Sequence, residues 1–202
     1  MEKTIFLFHR KKERSPEDFA RHYIEQHAPL GARLTRCLLG YTVNIVQTEA
    51  GPDAITEHWL PAAQDLLTPG KAYATRQDFE AVVADDRSLF DGFELYVVVK
   101  ETYPVPAQPL DAPLAQMTPE TKLVWMYSDA KAAPSPPAGA RRVVDNHLGY
   151  KLVYEGTARK KVAPEFQLIR MAWASSLDRI GSAASNAIIV KEYRFIPAPI
   201  WA

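Results

Sequence analysis

Five prolines fall between Tyr103 and Pro119 (Pro104, Pro106, Pro109, Pro113 and Pro119), in a stretch with few large apolar residues. Proline fixes φ and removes a backbone donor, so such a stretch is expected to be an extended connector. It divides the 202 residues into a first half, 1–102, a connector, 103–119, and a second half, 120–202. Each half is large enough for one small layered unit but short of a large core of its own.

The first half alternates between two periodicities. Thr4 to His9 is a short apolar run that reads as a strand. Ser15-Pro16-Glu17-Asp18 is a helix start, with a Ser cap, Pro at the first helical position and acids in the first turn. The helix is expected to run to about Ala28, where Pro29 discourages further α geometry. Leu39 to Val46 and Ala54 to Leu60 read as strands, and Pro61 to Leu67 as a short helix. Thr75 with Asp78 opens another helix, and Leu95 to Lys100 is a fourth strand. The order βαββαβ is ferredoxin-like.

The second half is a shorter echo. Its expected strands are Leu123 to Tyr127, one starting near His147-Leu148-Gly149-Tyr150, Phe166 to Trp173, and Ala187 to Phe195. His147-Leu148-Gly149-Tyr150 is similar to Leu38-Leu39-Gly40-Tyr41, and Val190-Lys191-Glu192 to Val99-Lys100-Glu101. The Pro- and Ala-rich region between its first two strands leaves little room for a helix. The expected fold is therefore α+β, two tandem ferredoxin-like units packed sheet to sheet as an α/β barrel, the second degenerate.

Composition narrows the function. Lys plus Arg and Asp plus Glu number 24 each, which gives no reason to expect nucleic acid or an anionic membrane as partner. The single cysteine, Cys37, excludes an intrachain disulfide and a cysteine zinc cluster and suits a reducing, cytoplasmic setting. The N-terminal apolar run is too short for a signal peptide, and no stretch approaches the roughly 20 residues of a membrane span. There is no His-Glu-x-x-His, and His22 and His27 lie five apart, a poor spacing for one α-helical face, so no metal site is expected. A glycine-rich phosphate loop is also absent, and no cofactor is called for.

His27 carries the most chemical interest. On a helical wheel that sets Phe19 at zero, Tyr23 falls near 40° and His27 near 80°, within the apolar arc. Burial favours its neutral ring and the helix carbonyl end its cation, so it could serve as general acid or base. Strand alternation puts His58 on one face with Thr56, and Glu57 with Trp59 on the other. Tyr23 and Tyr41 could hydrogen-bond a substrate carbonyl. His9, at a strand end, and Trp59 complete the candidate set, although a strand tryptophan is most simply core.

These residues also carry a family resemblance. Arg10, then Ser15-Pro16-Glu17-Asp18-Phe19, His22-Tyr23-Ile24-Glu25-Gln26-His27-Ala28-Pro29-Leu30 and Gly40-Tyr41 resemble the EthD signature. Asp53 to Trp59 and Asp85-Asp86 with Leu89-Phe90-Asp91 resemble its later segments, so the likeness covers about half the chain. It implies a ferredoxin-like unit that pairs into an α/β barrel, with His27 aligned to the family's recurrent histidine. Relatives include cofactor-free isomerases, lyases, cyclases and small monooxygenases acting on aromatic, lactone or polyketide-like molecules. Some barrel relatives bind heme through one histidine, but no feature here asks for it.

The expected activity is cofactor-independent lyase or isomerase chemistry on a small carbonyl compound, with His27, Tyr23 and His58 catalytic and His9, Tyr41 and Trp59 binding substrate. A non-catalytic small-molecule-binding protein and a cofactor-free monooxygenase are the alternatives. Whether the tandem pair also forms a homodimer is left open.

Overall fold

The structure is a computed structural model that describes residues 1–49, 51–105, 113–155 and 158–199. Its elements in chain order are β1 (Glu2–Arg10), α1 (Pro16–His22), α2 (Ala28–Leu34), β2 (Gly40–Val46), β3 (Ala54–Leu60), α3 (Pro69–Ala72), α4 (Arg76–Leu89) and β4 (Phe90–Val105). The second half supplies β5 (Thr121–Tyr127), β6 (Arg142–Glu155), β7 (Ala158–Val162), β8 (Leu168–Ala174) and β9 (Ile188–Ile196). Part of the proline-rich connector, residues 106–112, lies outside the described residues, while β4 runs into its start as far as Val105.

Both expected helix starts are capped as the sequence requires. Ser15 Oγ accepts from the Asp18 amide at 3.1 Å. Thr75 and Asp78 bond reciprocally, at 3.1 and 3.0 Å, which satisfies amides that would otherwise be orphaned at the first turn of α4.

The strands run β4-β1-β3-β2-β9-β5-β8-β6, and a further β4–β6 pairing closes the ring, so eight strands form a barrel with β7 hung on β6. The first half has the ferredoxin-like order β4-β1-β3-β2, and the second repeats it as β9-β5-β8-β6. The halves join edge to edge, β2 on β9 and β4 on β6, so every sheet edge that a lone unit would expose is hydrogen-bonded. The α+β barrel expected from the sequence is thus one continuous cylinder, rather than two sheets laid face to face.

Closure explains the strand sequences. Ile5 and Leu7 of β1 face the barrel interior, while Phe6 and Phe8 face outward beneath the helices. Both faces are buried, so β1 reads as a continuous apolar run instead of an alternation. Among its described residues the second half has no comparable helices. Only short 3-10 segments, Ala130–Ala132, Leu177–Arg179 and Gly181–Asn186, stand where helices would lie. One of these turns packs closely on the preceding loop. Gly139 has φ +86°, and a Cβ there would fall 2.2 Å from the Arg179 carbonyl oxygen. Gly139→Ala is expected to cost about 1–3 kcal/mol in urea unfolding.

The interior holds charge as well as hydrocarbon. Lys3 Nζ lies 2.7 Å from Glu57 and 2.8 Å from Glu101, and Lys122 Nζ 2.6 Å from Glu57 and 2.7 Å from Glu192. The two halves match here position by position. Lys3 pairs across from Trp59, and Lys122 across from Trp173, each ammonium 4.7 or 4.5 Å from the ring centroid. Asn44 and Asn146 donate to the carbonyls of Ile55 and Ile169, their respective cross-strand partners.

This register corrects one half of the sequence echo. Gly40 and Arg142 are the equivalent positions, facing Trp59 and Trp173, so Gly149-Tyr150 is not the counterpart of Gly40-Tyr41. Gly149 has a different reason to be glycine. A bulge leaves Val99 and Lys100 of β4 both exposed, and a Cβ on Gly149 would lie 2.2 Å from Val99 Cγ1. The extra residue also resets the alternation of β4, so that Glu101 turns inward to Lys3.

Candidate active site

The helical segment after β1 does not stop at Pro29. α1 passes through a π-helical turn, Tyr23–His27, into α2, which ends at Leu34. The amide of Ala28 reaches back five residues to the Tyr23 carbonyl. Pro29 has no amide to offer and would crowd a carbonyl in a regular α turn, and widening the turn relieves that conflict.

The wide turn also overturns the spacing argument about His22 and His27. Residues five apart share a face in π geometry, and both rings reach one carboxylate on α4. His22 Nε2–H donates to Asp85 Oδ1 at 2.8 Å, and His27 Nδ1–H donates to Asp85 Oδ2 at 2.7 Å. With Nδ1 so engaged, His27 turns Nε2 towards Asp86, 3.7 Å away and too far for a hydrogen bond. Burial pushes the Asp85 carboxyl up, but the hydrogen bonds from His27 and His22 outweigh it and hold it below its ordinary value. Asp86 has only burial and the nearby Asp85 raising it, against His27, and stands at about 6.

His27 lines a cavity of about 540 Å³. The hollow lies between the helices and the outer face of the first-half sheet, outside the barrel that sheet-to-sheet packing of the two units would have made its home. The barrel interior is already filled by side chains, whereas the helices stand off the sheet on aromatic residues. His58 and Tyr41 come from neighbouring strands into the same hollow, their rings 4.9 Å apart, and Tyr23 enters from the π turn. The Tyr23 hydroxyl meets Thr56 Oγ1 at 2.8 Å, and burial raises both phenols above their ordinary value. Most of the remaining wall is apolar, with Phe6, Phe8, Phe90 and Val82 among it.

Four of the sequence candidates therefore converge: His27, Tyr23, His58 and Tyr41. Two do not. Trp59 and Glu57 share the inward face of β3, so Trp59 packs under Lys3 inside the barrel. His9 follows Ile5 and Leu7 in the inward-facing series of β1 and is not part of the cavity wall. In the sequence Asp85 and Asp86 stand out only as part of the family likeness. A sharper signal is there, because these acids follow Val82 by three and four residues and so lie on the buried face of α4.

His58 is 7% exposed and its Nδ1 has no hydrogen-bond partner. Burial drives its pKa down to about 3, with His27 acting in the same direction and Glu57 in the opposite one. The ring is accordingly neutral and keeps an unused polar atom. In a histidine NMR titration His58 is expected to show no midpoint above about pH 5. A midpoint near the ordinary histidine value would contradict the desolvation.

Among the described residues no cluster of three or more His, Cys, Asp or Glu could hold a metal, and no helix is long and apolar enough to cross a membrane. An anthrone oxidase-like protein of known structure is similar over 100% of this chain and 96% of its own, with 11% identity and a TM-score of 0.56. A chlorite dismutase variant from Candidatus Nitrospira defluvii is similar over 95% of this chain and 90% of its own, with 10% identity and a TM-score of 0.41. At 11% identity the likeness to the anthrone oxidase-like protein is one of fold alone, the ferredoxin-like α/β barrel. No family model and no curated protein matches the chain.

Proposed function

We propose that this protein is a cofactor-independent enzyme of lyase or isomerase type that moves a proton next to the carbonyl of a small aromatic, lactone or polyketide-like substrate. The observation that carries the reading is the His27–Asp85 pair at the wall of a deep, largely apolar cavity. Asp85 fixes the tautomer and stabilises the imidazolium that forms, which leaves Nε2 as the base. The neutral His58 and the Tyr41 phenol hydrogen-bond the carbonyl oxygen as negative charge gathers on it. Asp86, with its raised pKa, is a second proton carrier close to Nε2. Isomerisation and dehydration begin with this proton transfer, whereas aldol-type cleavage begins at a β-hydroxyl proton and ends with protonation of the resulting enolate at the same carbon. The resemblance of Arg10 through Tyr41 to the EthD pattern agrees with this use of His27.

A passive carrier would need only the apolar wall, and the convergence of His27, His58, Tyr41 and Asp86 favours catalysis. Cofactor-free oxygenation is the second reading. It would start from the same deprotonation, and the fold neighbour is named as anthrone oxidase-like.

The test is to incubate the protein in D₂O with a panel of aromatic ketones, lactones and hydroxyketones, following exchange next to the carbonyl by NMR and oxygen uptake with an electrode. Exchange without oxygen uptake is expected. Oxygen uptake would select the second reading, and tight binding without exchange a carrier.

A further inference from the structure

The cavity has a depth axis. His27, His58, Tyr23 and Tyr41 are buried, whereas Arg87, Asp91, Phe93 and Arg159 line the same hollow and are exposed, so these four mark its mouth. Arg87 stands on the last turn of α4. Arg159 comes from β7 of the second half, whose strands extend the floor of the cavity. Leu95 of β4 faces Leu152 of β6, which faces Lys161 of β7, and Arg159 lies two residues from Lys161 on the same face.

Several arginines elsewhere in this protein are paired. Arg10 meets Asp53 at 2.9 Å, Arg76 meets Glu80 at 2.7 Å, and Arg170 meets Asp145 at 2.6 Å. Arg87 and Arg159 have neither an ion pair nor a hydrogen bond among the described residues, and Asp91 is within ion-pair reach of neither. Two guanidinium groups with no partner among the described residues, at the mouth of a largely apolar cavity, suit one ligand chemistry. We propose that the substrate is an amphiphilic acid, with its carbonyl and apolar body inside and its carboxylate held at the mouth by Arg87 and Arg159. Guanidinium is suited to this because its planar donors match a carboxylate two at a time. The second half, which has lost most of its own helices, thereby supplies a specificity residue to the site of the first.

This inference rests on the cavity being the substrate site, and its test is a binding measurement that needs no turnover. Benzoylpropionate and its methyl ester are titrated by calorimetry into the wild-type protein, the Arg87→Gln, Arg159→Gln double variant, and Arg33→Gln, an exposed arginine outside the cavity. The acid should bind the wild-type protein roughly 10–100-fold more tightly than the ester. That preference should fall to near unity in the double variant, survive in Arg33→Gln, and weaken with added salt. Equal binding of acid and ester by the wild type, a preference that persists in the double variant, or no binding of either would overturn the proposal. Charge preference without proton exchange would keep the anion site and reject the catalytic reading.

Discussion

Lys122→Ala is expected to destabilise the protein by about 3–5 kcal/mol, seen as a lower urea midpoint with an unchanged slope. Lys122 is completely buried and bridges Glu57 of the first half and Glu192 of the second. Its loss leaves Glu57 with Lys3 and the Asn44 amide at 3.2 Å, and Glu192 with the Trp173 indole at 3.1 Å and the Arg194 guanidinium at 3.9 Å. The cost is that of stranding a carboxylate in a closed barrel, so removing both partners should be cheaper than the sum of removing each. A Lys122→Met, Glu192→Gln cycle should show coupling of about 0.5–3 kcal/mol. Acid should narrow the deficit. Burial pushes Glu57 up, but Lys122 and Lys3 hold it well below the ordinary carboxylate range. Its contribution is therefore present above that range and is lost as pH falls through the depressed value, and the variant has less of it to lose. A loss below about 1 kcal/mol at neutral pH would mean that the interior charges are solvated, and that they do not pin one half to the other.

The lysines in this network show what a linear chain of residues can and cannot convey. Lys3 shares alternation with Ile5 and Leu7, and Lys122 with Val124 and Met126, so each is a lone cation on an apolar strand face. That pattern is plain in the sequence alone, but the carboxylates that answer it lie 54 and 98 residues from Lys3, and only barrel closure brings them there. Local signals are legible throughout. The Ser15 and Thr75 caps, the strand Ala54–Leu60 and the loss of helix from the second half are all local chemistry. Departures arise where tertiary contact overrides a local rule. Pro29 would end an isolated helix, but here the segment packs on the first-half sheet and widens by one residue per turn. Gly149-Tyr150 looks like a repeat because its glycine answers a bulge in β4, a demand set by the partner strand. β7 is not foreshadowed at all, since its Arg159-Lys160-Lys161 run has no apolar alternation.

The site turns on the same distinction, and its decisive experiment is His27→Ala. Turnover should fall by roughly 10²–10⁴-fold while the fold persists, because the proposed mechanism routes the proton transfer through this ring. The geometry makes a second, finer demand. The Asp85 carboxylate hydrogen-bonds the two histidines and is absent from the cavity wall, so it is a positioning residue. Asp85→Asn keeps the shape but can present its amide to Nδ1, which favours the tautomer with the proton on Nε2, where no base remains. A large fall in kcat with little change in KM is expected, since the substrate does not contact Asp85. His22→Gln, which replaces the other ring that bonds the same carboxylate, should cost far less, because His27 keeps its own bond. A mainly structural Asp85 would give a different pattern, with stability falling, KM rising, and His22→Gln as harmful as Asp85→Asn. Full activity in a folded His27→Ala protein would remove the base on which the proposed mechanism depends.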